Sequence, residues 1–223
     1  MILPRRRWRW RVLRGAARLF LRATGTRPTI EGLTRLPESG SVAVANHASY
    51  LDSLVLVAVL PGEIVFAAKQ ELAAQAFAGP FLRRLGILFV ERFEPDRGLE
   101  DVRTALELAE TGRRLVFYPE GTLTRRPGLL EFRLGAFAVA ARAAVPVVPI
   151  TILGTRSILR GGQWFPRPGR VRVSIGETLT ARSGDWTATL GLRDRARAQI
   201  LARCGEPDLA GESAPVFEAH RDG

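Results

Sequence analysis

A chain of 223 residues, 46% hydrophobic and 25% charged, is long enough to bury one sizeable core and too apolar to stay disordered. Cys204 is the single cysteine, which excludes an intramolecular disulfide and fits a reducing compartment. The formal charge is +11, yet nine arginines and no acid fall between Met1 and Ile30, leaving a net +2 on the remaining 193 residues; a basic end on a balanced body argues against a nucleic-acid partner and for a membrane surface.

Residues 7–23 carry a helical period. Arg7, Arg11, Arg14, Arg18 and Arg22 recur at steps of three and four and stack on one face, while Trp8, Val12, Leu13, Ala16, Leu19 and Phe20 fall opposite. Trp8 and Trp10 suit a headgroup boundary, which offers an indole both of its environments. Two readings fit: a helix lying in a membrane interface, or a helix packed on its own domain with solvated arginines outside. The single sign of charge favours the first, since a solvated face ordinarily mixes signs. The longest apolar run, 54–60, falls far short of the roughly 20 residues that cross a bilayer. Arg14 and Arg18 interrupt the one stretch that resembles a secretory leader, and no small-residue cleavage site follows. The expectation is a peripheral or monotopic protein on the cytoplasmic face of the cell membrane, with residues 1–25 as its surface helix.

Residues 26–40 are turn-rich, with an edge strand expected at 29–31. Beyond them β-rich runs fall at 41–45, 64–68, 87–90, 115–118, 147–153 and 170–175. Helical stretches fall at 51–60, 71–85, 99–111 and 133–144, and a final helix at 185–204. Strands alternating with helices at this spacing predict an α/β fold over 26–205, a mostly parallel sheet covered by helices on both faces. Residues 206–223 are expected to form a disordered tail.

Three short constellations carry candidate chemistry. Asn46-His47-Ala48-Ser49-Tyr50-Leu51-Asp52 leaves the strand 41–45 and opens a helix, at the strand end where open sheets bind ligands. With an ordinary pKa of about 6.5, a histidine there suits general-base work, and a carboxylate on its other ring nitrogen would fix the tautomer. Five residues apart, the two side chains meet only across a turn. The alternative is that Asp52 caps the helix through Ser49-x-x-Asp52 and His47 is a satisfied hydrogen-bonder. The other histidine, His220, stands in the C-terminal tail. Tyr118-Pro119-Glu120-Gly121-Thr122 again leaves a strand into a turn, followed by Leu123, Thr124, Arg125 and Arg126. Turn amides beside arginines can hold a phosphate or a developing oxyanion, or simply form a polar loop. The run from Gly86 to Arg92 ends a buried strand on an arginine, which fits a phosphate or pairs with Glu91 or Glu94. No residues have zinc-ligand spacing, and no Gly-x-Ser-x-Gly is present.

Taken in order, these blocks resemble those of the 1-acyl-glycerol-3-phosphate (lysophosphatidic acid) acyltransferases. His47 and Asp52 match the N-H-x4-D block, Gly86 to Arg92 the second, Tyr118 to Thr122 the F-P-E-G-T block, and Val148-Pro149-Ile150 the short fourth. The likeness spans about residues 30–180 and implies the glycerolipid acyltransferase fold. It implies transfer of a fatty acyl group from acyl-CoA or acyl carrier protein to the hydroxyl of a lysophospholipid, giving phosphatidic acid when the acceptor is 1-acyl-glycerol-3-phosphate. His47 would be the base and Asp52 its orienting acid, with substrate contacts from Arg92, Glu120, Gly121, Thr122 and Arg125. No metal and no cofactor beyond the acyl donor is implied; membrane lipids and that donor are the expected partners, nucleic acid is not. The helix at 71–85, with Phe77, Phe81 and Leu82, is read either as lining for a lipid path or as plain core. Two positions depart from the pattern. Tyr118 replaces the usual phenylalanine, and Leu123 stands where an arginine is common, which keeps another acceptor, such as a lyso-ornithine lipid, open. A non-catalytic membrane-binding protein of the same fold is the rival class, against which the intact His47–Asp52 pair speaks.

Overall fold

The computed structural model describes residues 4–38, 40–69, 87–90, 95–124, 126–159, 165–181 and 183–212. In chain order the elements are α1 (Pro4–Ala23), β1 (Thr26–Glu31), β2 (Ser41–Ala45), α2 (Leu51–Val59), β3 (Ile64–Lys69), β4 (Leu88–Val90), α3 (Pro95–Glu110), β5 (Arg114–Phe117), β6 (Leu129–Leu130), α4 (Gly135–Arg142), β7 (Val147–Leu153), α5 (Thr155–Ile158), β8 (Gly169–Ile175), α6 (Trp186–Cys204) and β9 (Asp208–Leu209). Seven strands form one sheet in the order β1-β8-β7-β2-β5-β3-β4. Every neighbouring pair is parallel except β7 with β8. The expected α/β fold with a mostly parallel sheet is thus observed.

The covering of both faces follows from period-two alternation in strands that have no wet side. In β2, Val42 and Val44 point into a cluster with Ala105 and Ala109 of α3, Phe137 and Ala140 of α4, and Leu192, Ala196 and Ile200 of α6. Ala43 and Ala45 point the other way, into a cluster with Ala17 and Leu21 of α1 and Val55 and Leu56 of α2. The two small residues let α1 and α2 close over the same strand that valines face from below.

α1 divides its circumference between the fold and the outside. Ala17 and Leu21 are 2% and 1% exposed, and Trp10 and Leu13 pack half-buried beside them. Arg14 donates to the carbonyls of Leu60 (3.0 Å) and Gly62 (2.6 Å), and Arg18 to that of Ala58 (2.8 Å). Two arginines expected on an outward basic face therefore cap the C-terminal end of α2, where free carbonyls and the helix dipole favour cations. Leu13, expected on the outer apolar face, belongs to the inner one. Among the described side chains, the large apolar ones that remain outside are Trp8, Val12, Leu19 and Phe20, with Trp8 and Leu19 65% and 69% exposed.

Three short elements, α5, β6 and β9, were not expected, because two to four residues set no readable period. The tail is corrected over 206–212. β9 pairs in parallel with β6, Leu129 opposite Asp208 and Leu130 opposite Leu209, and Leu209 is buried. One buried leucine in a polar stretch was too weak a signal for an ordered strand. The helix expected at 71–85 with its lipid-path residues, together with Arg92 and Arg125, lies outside the described residues.

Candidate active site

The three central strands β5, β2 and β7 run parallel, so the turns leaving them gather at one sheet edge. Val44 pairs with Phe117 and Ala45 with Ile150. Just past Ala45, Asn46 imitates a peptide group: its amide nitrogen donates to the Ile152 carbonyl, and its oxygen accepts the Ile152 N–H, both at 2.8 Å. That bidentate pair prolongs the β2–β7 ladder by one step while freeing the backbone to turn.

The turn that follows is built around Asp52, whose side chain is fully buried. Its Oδ2 accepts the backbone N–H of Ala48 at 2.7 Å and of Ser49 at 2.8 Å, and meets His47 Nδ1 at 3.0 Å. Bonding the Ser49 N–H is one half of a capping box. The Ser49 hydroxyl does not complete the box; it accepts the Leu51 N–H and donates to the Leu159 carbonyl. The capping and orienting readings of Asp52 thus describe a single oxygen. Since that oxygen is already an acceptor of two N–H groups, Nδ1–H is the donor in the third contact. This assignment leaves Nε2 with its lone pair free, on a ring that is 19% exposed.

The ring is held from the side as well. Tyr118, leaving β5, stacks on it with centroids 4.1 Å apart and planes 17° from parallel. The tyrosine hydroxyl shares a 3.0 Å hydrogen bond with Ser53 of α2. Burial, and then the Asp52 carboxylate, push that phenol well above its usual range against the lowering effect of Ser53, so it stays neutral. Asp52 fixes the imidazole in its plane and Tyr118 fixes the plane itself.

Glu120 stitches the two turns together. Its Oε1 accepts the His47 N–H at 2.7 Å and its Oε2 accepts the Leu130 N–H at 3.1 Å. Glu120, expected among the substrate contacts, gives each oxygen to one backbone N–H within the protein. Gly121 takes φ of 75°, and its N–H closes the turn onto the Tyr118 carbonyl at 3.0 Å. Thr122 stands half-buried beside it. The sequence reading placed Asn46 in the first block without a role, and did not find Ser53 or the Tyr118 hydroxyl as parts of the site; adjacency of the two strand-end turns in an open sheet was the signal that could have found them. Among the described residues, no group of three or more His, Cys, Asp or Glu side chains is placed to hold a metal ion.

A buried carboxylate, an imidazole with one free nitrogen and a supporting ring form a base able to take a proton from a hydroxyl. A family profile described as Acyltransferase matches residues 27–153, which include both turns. The chain belongs to the acyltransferase family. Within this family, it is 33% identical over 174 residues to the chloroplastic 1-acyl-sn-glycerol-3-phosphate acyltransferase BAT2 of Brassica napus, covering 77% of this chain and 49% of that one. It is 36% identical over 182 residues to the 1-acyl-sn-glycerol-3-phosphate acyltransferase alpha of Ovis aries, covering 79% and 62%. The chain therefore spans about half to two-thirds of the length of these family members. Its fold is similar to that of the crystal structure of the 1-acyl-sn-glycerophosphate (LPA) acyltransferase PlsC from Thermotoga maritima. The TM-score is 0.72 at 24% identity, over 89% of this chain and 82% of that one.

Proposed function

We propose that this chain acylates the free hydroxyl of a lysophospholipid, with 1-acyl-glycerol-3-phosphate as acceptor and phosphatidic acid as product. The carrying observation is the His47–Asp52 pair, with Nδ1 tied at 3.0 Å and Nε2 left free. The names of the relatives, all acting on that acceptor, support the substrate. In this reading His47 Nε2 removes the acceptor's hydroxyl proton as the oxygen attacks the thioester carbonyl of acyl-CoA or acyl carrier protein. Asp52 steadies the imidazolium that forms. Collapse of the tetrahedral intermediate expels the thiolate, which recovers the proton from Nε2, so that ester and free thiol leave together. Arg92, Glu120, Gly121, Thr122 and Arg125 remain proposed contacts to the substrates.

The reaction belongs at a lipid surface, because both acceptor and product are lipids. Among the described residues, no helix is long and apolar enough to cross a membrane. The exposed stripe of Trp8, Val12, Leu19 and Phe20 instead suits shallow insertion in the interface, from the cytoplasmic face. Residues 1–25 then serve as the surface helix of a catalytic domain over 26–205. Leu123, which brings no charge to the third block, favours one second reading, a different lysolipid acceptor such as a lyso-ornithine lipid.

The test offers a labelled acyl thioester with lysophosphatidic acid or lyso-ornithine lipid to the wild type and to His47→Ala. Expected is diacyl product from lysophosphatidic acid that falls by about 100-fold or more in the variant. Transfer to lyso-ornithine lipid alone would move the substrate and keep the base. No transfer by folded wild type with either donor would overturn the reading.

A further inference from the structure

The chemistry above needs a cation for the acceptor's phosphate, and Leu123 does not supply it. We propose that Arg133 is the residue that holds the acceptor's phosphomonoester, a role that rests on the acceptor reading just given. Arg133 lies between β6 and α4, ten residues beyond the position where the sequence pattern points. Its backbone N–H donates to the Pro119 carbonyl at 2.8 Å, which fastens it to the turn that carries Glu120 and Gly121. Its side chain then runs across Gly121. A Cβ on that glycine would stand 2.5 Å from Arg133 Nε, 2.9 Å from Cδ and 3.3 Å from Cζ. Glycine is favoured there by its φ of 75°, and the absence of a Cβ lets the guanidinium stem lie on its Cα.

That placement lays the guanidinium stem on the turn 119–121, whose Glu120 accepts the His47 N–H. Among the described residues, the other arginines around this loop are committed. Arg126 pairs with Glu212, and Arg156 with Glu206 and the Thr124 carbonyl. Arg197 pairs with Asp208 and the carbonyls of β6, and Arg193 with Glu131 and Asp194. Arg133 is exposed, and among the described residues its guanidinium has no hydrogen bond and no ion pair. A permanently charged fork, held at its base on the turn that bonds the His47 N–H and free at its tip, is suited to two oxygens of a phosphate. A phosphate is also present in the acyl donor, so the experiment must separate the two.

Initial rates of wild type, Arg133→Gln and Arg133→Lys would be measured against lysophosphatidic acid and, separately, against acyl-CoA. Binding of glycerol 3-phosphate, the soluble headgroup, would be titrated calorimetrically to each folded protein. The expected result is a rise of about tenfold or more in KM for lysophosphatidic acid in Arg133→Gln, from loss of a charge-assisted contact, with kcat nearly kept. Arg133→Lys should restore part of it, the KM for acyl-CoA should not move, and glycerol 3-phosphate should bind wild type better than Arg133→Gln. An unchanged acceptor KM, or a change confined to the donor, would overturn the assignment. If wild type acylates only a phosphate-free acceptor, the acceptor reading fails by itself and the titration still decides Arg133. Glycerol 3-phosphate binding lost in Arg133→Gln would keep the phosphate site; equal binding, or none to either protein, would end it.

Discussion

At the residue scale the site gathers several donors onto single carboxylate oxygens. One oxygen of Asp52 serves two backbone amides and the imidazole, so the shape of the turn and the tautomer of His47 depend on the same atom. Glu120 shows the opposite economy, with each oxygen given to one amide. Burial pushes its carboxyl up to about 7, while the N–H groups of His47 and Leu130 restrain the rise. A carboxyl with pKa 4.5 when unfolded and about 7 when folded binds more protons in the folded state between those values. Its contribution to stability is therefore fully present below about pH 4.5 and is lost as pH rises through about 7, a change on the order of 3 kcal/mol. Glu120→Gln removes this titration. Because an amide nitrogen cannot accept, it also leaves one buried N–H unpaired, costing about 1–3 kcal/mol. Urea unfolding of both proteins at pH 4.5, 6 and 8 should show the wild type losing stability across the range and the variant starting lower with a flatter slope. Parallel slopes would mean that Glu120 does not titrate there.

At the scale of elements, α1 serves two surfaces at once, and each can be cut without the other. Trp8 and Leu19 touch little of the fold, so Trp8→Ser with Leu19→Ser should leave the unfolding midpoint unchanged. Removing that much apolar area, at about 25 cal/mol per Å2, should weaken sedimentation with anionic vesicles about tenfold or more. Arg14→Ala with Arg18→Ala removes the caps of α2 and should lower stability by about 1 kcal/mol for each hydrogen-bonding arginine. Unchanged vesicle binding in the serine pair would remove the stripe from any membrane role. The same helix shows how far sequence reading reaches. Period alone separated arginines from apolar residues, but it could not see that Arg14 and Arg18 had carbonyl partners 48 and 40 residues away. The strand 41–45 was legible because a run of small and β-branched residues suits a strand covered on both sides. The pairing of His47 with Asp52 was legible as well, since five residues with a turn between them have few ways to meet. The partners of Glu120 were not legible. Both are backbone amides, 73 and 10 residues distant, and backbone leaves no signature in a sequence. β9 was hidden for a similar reason, its pairing being main-chain and only two residues long.

At the scale of the whole molecule, the last described segment closes back over the loop that leaves the site. From Gly205 the chain runs alongside residues 126–130. Glu206 takes the Gly128 N–H and pairs with the half-buried Arg156, which also holds the Thr124 carbonyl. Leu209 packs where a side chain on Gly128 would stand. The far end of this loop is Leu130, whose N–H is one of the two that Glu120 accepts, so the strap and the His47 turn are joined through one loop. Glu206→Gln should thus do more than a surface change does. Leaving Arg156 without its carboxylate in a half-buried place should cost about 1–3 kcal/mol. The loosened loop should also lower the rate of acyl transfer. Arg126→Ala supplies the contrast, because its pair with Glu212 is mostly solvated, with side chains 65% and 47% exposed, and such pairs contribute about 0–1 kcal/mol. Thermal unfolding and initial rates on both variants decide the matter. A stability loss in Glu206→Gln with an unchanged rate would confine the strap to holding the fold, whereas loss of both would make the C-terminal strap part of what positions the base.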